Sequence, residues 1–174
     1  MNNQTTNPDK TMAALIHLST FSKFFIPFGN FIFPLILWTA KKQDPFVDEH
    51  GKQAINFQIS IFLYFIMLAC TGIAGIVFFG IQLGMHGPFS ISEEFINMGN
   101  IANVVPLLLF IGFMGLLLLA LLILDIISVI TATMKASEGH FYKYPLSINF
   151  ITPTRVGNNQ SKNEQFNNTQ NQRQ

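Results

Sequence analysis

The run Phe46 to Gln58, FVDEHGKQAINFQ, brings the side chains most capable of chemistry close together. Asp48, Glu49, His50 and Lys52 offer carboxylates, an imidazole and an amine, which could exchange protons, hold a metal or grip a charged headgroup. On a helix, however, Asp48, Glu49 and His50 are consecutive and point in different directions, so a cap and a solvated turn are favoured over a metal site. His17, His50, His86 and His140 lie in different segments without the paired spacing of a zinc motif. Cys70 is the single cysteine, and neither a phosphate-binding glycine loop nor a nucleophile elbow is found. No catalytic, cofactor or metal site is expected, and the chain reads as a non-enzyme.

Polar residues also recur at helical spacing. Glu49, Lys52, Gln53, Asn56, Ser60 and Tyr64 share about one third of a helix circumference, a stripe descending into an apolar run. A second line is Asp125, Ser128, Ala132, Lys135 and Gly139. Ser60, Asp125 and Ser128 would lie within a membrane, where polar groups face protein or water because hydrocarbon gives them no partner. Interhelical hydrogen bonding is the favoured use of the first line, and for Asp125 the favoured reading is a carboxyl near the cytoplasmic interface reached by water. Trp38, Phe46, Phe141, Tyr142 and Tyr144 stand at the ends of apolar stretches and suit interfacial anchoring.

The elements carrying these residues follow from where charge is missing. Charged residues make up 11% of the 174 residues, against roughly 25% in an ordinary soluble domain. Residues 24–40, 53–92 and 95–124 contain no Asp, Glu, Lys or Arg, and about 20 apolar residues cross a bilayer core. The formal net charge of +1 leaves no basic excess for nucleic acid. The expected fold is an all-α integral membrane bundle. Two long transmembrane helices, near residues 48–82 and 103–136, join an N-terminal broken helix or short helical hairpin formed by segments near 12–25 and 30–40. Pro27, Gly29, Asn30 and Pro34 interrupt that first region. The hairpin is favoured, with Pro34 tolerable if its helix begins only a residue or two earlier.

One domain is expected over residues 11–151, between a polar tail at 1–10 with no signal-peptide pattern and an Asn/Gln-rich, disordered tail at 152–174. Lysines crowd into Lys41 to Lys52 and recur after Met134, whereas residues 81–103 have neither Lys nor Arg. This asymmetry places the first two regions and both termini in the cytoplasm, and residues 81–103 outside.

The ordered blocks His17, Gly29, PLILW at 34–38, FVDEHGKQAINFQ at 46–58 and KASEGHFYKYP at 135–145 resemble a family of small bacterial membrane proteins of unknown function. That family is similar to the twenty-kilodalton membrane subunit of the chloroplast inner-envelope (Tic) protein-import translocon. The resemblance covers about residues 12–151 and implies four helices, cytoplasmic termini and the hairpin. It also implies a composite cytoplasmic surface of Trp38, Lys41, Asp48, Glu49, His50, Lys52, Asn56, Lys135, Gly139, Tyr142 and Tyr144. A partner-binding or translocation-accessory role in the inner (plasma) membrane is expected, with lipid and a membrane-protein partner or second copy as neighbours. The alternative is a solute or ion pathway lined by Asn56, Ser60 and Asp125. A lipid-headgroup enzyme using Asp48, His50 and Lys52 is the least favoured reading.

Overall fold

The computed structural model describes residues 8–83 and 101–152, with side chains for 8–83 and 104–152. Most of each expected tail (all of 1–10 but 8–10, and all of 152–174 but 152), His86 and most of the 81–103 loop lie outside the described residues. The helices are α1 (Lys10–Ser19), α2 (Gly29–Ala40), α3 (Pro45–Gln82) and α4 (Ile101–Glu138), with a 3-10 turn at Thr20–Phe24 following α1. A non-helical strap, 139–152, follows α4. The protein is thus all-helical as expected. It has two compact units: one holds residues up to Gln58 and from Ser128 onward, and the other is Ile59–Ile127.

In the first unit, α1 and α2 form a hairpin closed at its open end by aspartates. Asp9 caps α1 by accepting the Met12 amide at 3.0 Å. Asp44 accepts the Phe46 amide at 2.8 Å, and its other oxygen takes the Asp9 amide at 2.9 Å. Lys41 reaches Asp9 at 3.3 Å. The two ends of the 9–44 region therefore meet. At 1.5 Å per residue, the 12-residue α2 is about 18 Å long, too short for a core of about 30 Å. The hairpin, rather than one bent spanning helix, is what forms.

Several boundaries differ from expectation, each for a local reason. The start of α3 lies at Pro45, because Asp44 followed by Pro is an N-cap with proline at the first helical position; Asp48 is already in the first turn. Lys10 is helical because Asp9 caps the helix before it. Pro34 lies inside α2 and is buried, since the helix begins at Gly29, directly after the left-handed Phe28. Gly29 is required there: a Cβ would come within 2.6 Å of Ser22 Oγ and 2.9 Å of Ser22 backbone atoms.

The Met12 amide holds the Asp9 carboxyl below its ordinary value; desolvation opposes this and Lys41 adds to it. The contribution is present above the ordinary carboxylate range and lost as pH falls through the lowered value. Replacement of Asp44 by Ala removes a cap and the partner of the Asp9 amide. It is expected to cost about 1–2 kcal/mol, read as a lower thermal midpoint in detergent.

In the second unit, α3 and α4 carry stretches of mean hydropathy 2.4 and 3.1, long and apolar enough to cross a membrane. Phe65, Met67, Ile73, Ile76, Leu108, Leu109 and Leu116 are exposed, as side chains meeting acyl chains are. Close approach occurs at Gly75, where a Cβ would overlap the Phe110 ring. A small residue at this position is what lets the two helices meet so closely.

Candidate functional site

The polar residues of α3 are set by its entry into the first unit. Trp38, near the end of α2, donates its indole N–H to Asp48 at 2.9 Å, and Lys52 donates to the other Asp48 oxygen. The Trp38 ring lies on Gly51, where a Cβ would overlap it; Gly51 is thus the gap that admits the indole. Lys42 sits over that ring at 5.3 Å, a cation–π contact. Glu49 is buried; its Oε1 accepts from Gln53 at 2.8 Å, and its Oε2 is buried without a partner.

His50 and His17 are fully buried and joined to each other. His17 Nε2 lies 2.8 Å from His50 Nδ1, and His17 Nδ1 lies 2.8 Å from the Tyr144 hydroxyl. Phe46 packs edge-on against the His50 ring at 4.4 Å, and Phe141 stacks on it at 5.7 Å. His50 Nε2 has no partner. Tyr144 stacks on Phe57 at 4.1 Å. The Asn56 side chain pairs with the backbone of Ile151, donating to its carbonyl at 2.7 Å and accepting its amide at 2.8 Å. Asn30 donates to Gln58 at 2.9 Å.

The strap can follow this course because of Gly139. It has a positive φ of 88° and ends α4 with its amide on Ala136 O and that of His140 on Lys135 O, a Schellman cap that favours glycine. Lys10 donates to Glu138 O at 3.4 Å beside it.

The fourteen residues expected at the surface or within the membrane divide accordingly. Trp38, Glu49, His50, Asn56 and Tyr144 are buried, so five of the eleven residues of the composite surface belong to the packed interior of the first unit. Asp48, Lys52, Gly139 and Tyr142 are half-buried, and Lys41 and Lys135 are exposed. Ser60, Asp125 and Ser128 are buried. The interfacial-anchor reading of Trp38, Phe46 and Tyr144 is corrected: each lies in a protein core, because hydrogen-bond and ring partners from other elements enclose it. Glu49 and His50 likewise do not belong to a solvated turn.

His17 was the omission. Its spacing did carry a signal, since Ala13, Ile16 and His17 of α1 and Thr20 of the 3-10 turn form one buried stripe, and a histidine on such a stripe needs a partner. No cluster of three or more possible metal ligands occurs among the described residues. Chemically, the site is a chain of neutral hydrogen-bonding groups, Tyr144 to His17 to His50, enclosed by aromatic rings.

The sequence matches the MamF/MmsF family, described as a magnetosome magnetite crystal formation protein family, over residues 8–151. No curated protein and no solved structure matches the chain. The family match overturns the expected relation to the Tic translocon subunit. Blocks such as FVDEHGKQAINFQ and KASEGHFYKYP build the first unit of this fold, and their residue types alone misdirected the assignment.

Proposed function

This chain belongs to the MamF/MmsF magnetosome magnetite crystal formation family, and from that premise we propose that it serves crystal formation as a non-enzymatic, membrane-embedded binding protein. In this reading α3 and α4 hold it in the magnetosome membrane. The first unit faces the cytoplasm and offers a basic rim to an acidic protein surface.

The observation that carries the reading is the division of charge in the first unit. The polar residues of the FVDEHGKQAINFQ block turn inward and bind one another, α2 or the strap. Lys10, Lys41, Lys42, Lys135 and Lys143 remain exposed, with Glu138 as their exposed acidic neighbour. Such a rim attracts acidic partners and cytoplasmic headgroups alike. The pathway reading has less support, since Asn56, one of its three residues, is bonded through both polar atoms to Ile151.

The test is complementation in cells lacking the protein. The combined change Lys41→Glu, Lys42→Glu and Lys135→Glu reverses charge on exposed side chains; because Lys41 pairs with Asp9 and Lys42 lies over Trp38, folding and membrane insertion are verified by thermal midpoint and fractionation before the variant is scored. It should fail to restore crystal number and size, counted by electron microscopy. Full restoration by the triple variant would remove the basic rim from the mechanism.

A further inference from the structure

The His17–His50 contact limits how many protons the closed site can hold. A 2.8 Å approach of two ring nitrogens needs one N–H and one lone pair between them. With both rings neutral, the shared proton can sit on either side. In one arrangement Tyr144 donates to His17, which donates to His50; in the other the direction is reversed. One added proton is tolerated, because it can occupy an outer nitrogen, His17 Nδ1 or His50 Nε2. A second added proton puts N–H against N–H at the inner contact, and that bond cannot survive.

The strap covers this pair. Phe141 lies on His50 and Tyr144 is bonded to His17, while Asn56 pins the strap farther along at Ile151. We propose that residues 139–152 form a latch closed over the His17–His50 pair, released when the pair takes up its second proton. The consequence is exposure of Phe46, Phe57 and the two imidazoles, a surface that the closed form hides.

Glu49, whose Oε2 is buried without a partner, is the titratable neighbour of the pair in sequence. Tyr144, whose ring meets Tyr142 at 5.1 Å, is the titratable side chain bonded to the pair. On α3, Asp48 is engaged with Lys52 and Trp38, and Glu49 lies next in sequence to His50 with one oxygen on Gln53. The buried face of α1 adds Ala13 and Ile16, and the 3-10 turn adds Thr20; α2 adds Pro34 and Trp38; the part of α4 in this unit adds Ser128, Val129, Ala132 and Ala136, none of them charged. Burial holds the His17 imidazole well below its ordinary value, with His50 beside it adding to the effect, and pushes His50 down to about 4, so the open latch takes up protons that the closed one resists and acid favours the open form.

The experiment is hydrogen exchange of the full-length protein in lipid nanodiscs from about pH 7.5 to about pH 4.5, spanning the ordinary histidine range. Rates are corrected for the intrinsic pH dependence of exchange. Protection across 139–152, above all at the Ile151 amide, should fall by about tenfold to a hundredfold per pH unit below the transition, the slope for one to two extra protons bound on opening. Protection in α1, α3 and α4 should hold. His50→Asn keeps an acceptor toward His17 Nε2 but cannot place a second proton there, so its strap should stay protected. In parallel, nitrogen-15 spectra of labelled histidines in the wild type should show opening coincident with the second protonation. Unchanged strap protection in acid, simultaneous loss in the helices, opening at the first protonation, or the same opening in His50→Asn would each overturn the latch.

Discussion

Replacement of His17 by Ala is expected to destabilise the protein by about 3–5 kcal/mol, the largest effect of any single change considered for the first unit. Two terms add. The truncation empties a site that is 0% exposed, and cavities of that kind cost about 2–5 kcal/mol for comparably large side chains. It also removes the bond that His17 makes to the Tyr144 hydroxyl and to His50 Nδ1, at about 1–3 kcal/mol per buried group. Partial relaxation keeps the total below the sum. Leu18→Ala, one position away on an exposed face, should cost well under about 1 kcal/mol. Unfolding followed in detergent with a graded denaturant would separate the two; equal, small effects would show that the histidine chain does not hold the unit together.

Gly51→Val ranks next, with an expected cost of about 2–3 kcal/mol. Alone on a helix, loss of glycine would help, since glycine is about 1 kcal/mol worse than alanine. The Trp38 indole occupies the space that any Cβ would need, and valine is stiff at χ1, so overpacking wins. Displacing the indole also endangers its bond to Asp48. Combining Gly51→Val with Trp38→Ala should therefore cost less than the sum of the two single changes, the signature of residues in contact. Strict additivity would place the clash elsewhere.

The long helices were legible because hydrocarbon imposes a simple rule: an uncharged run of sufficient length has few alternatives. Hairpin closure was only partly legible. Pro27, Gly29 and Pro34 marked a break, but the closing contacts join Asp44 and Lys41 to Asp9, and Asp9 stood in a segment read as a tail. The sequence Asp44-Pro45 carried a helix start that the neighbouring Asp48 and Glu49 obscured. The core of the first unit was the least legible part. An aromatic residue at the end of an apolar run looks the same whether it faces headgroups, as expected of Trp38 and Tyr144, or a protein interior, where they lie. What decides is a partner distant in the chain: His17 for Tyr144, Gly51 for Trp38, Ile151 for Asn56. The family assignment failed on similar ground, since blocks that build an interior do not by themselves name a role.

The central claim is that the first unit closes its polar residues inward and uses its exposed basic rim to bind an acidic protein. Site-specific photo-crosslinking in crystal-forming cells tests it most directly. A photoreactive residue is placed at position 135 on the rim, with position 76 in the apolar part of α3 as the comparison. The expected result is a discrete protein adduct at position 135, lost when Lys41 and Lys42 are changed to Glu, and lipid adducts alone at position 76. Lipid adducts alone at both positions, or a protein adduct at position 135 indifferent to the charge change, would contradict it.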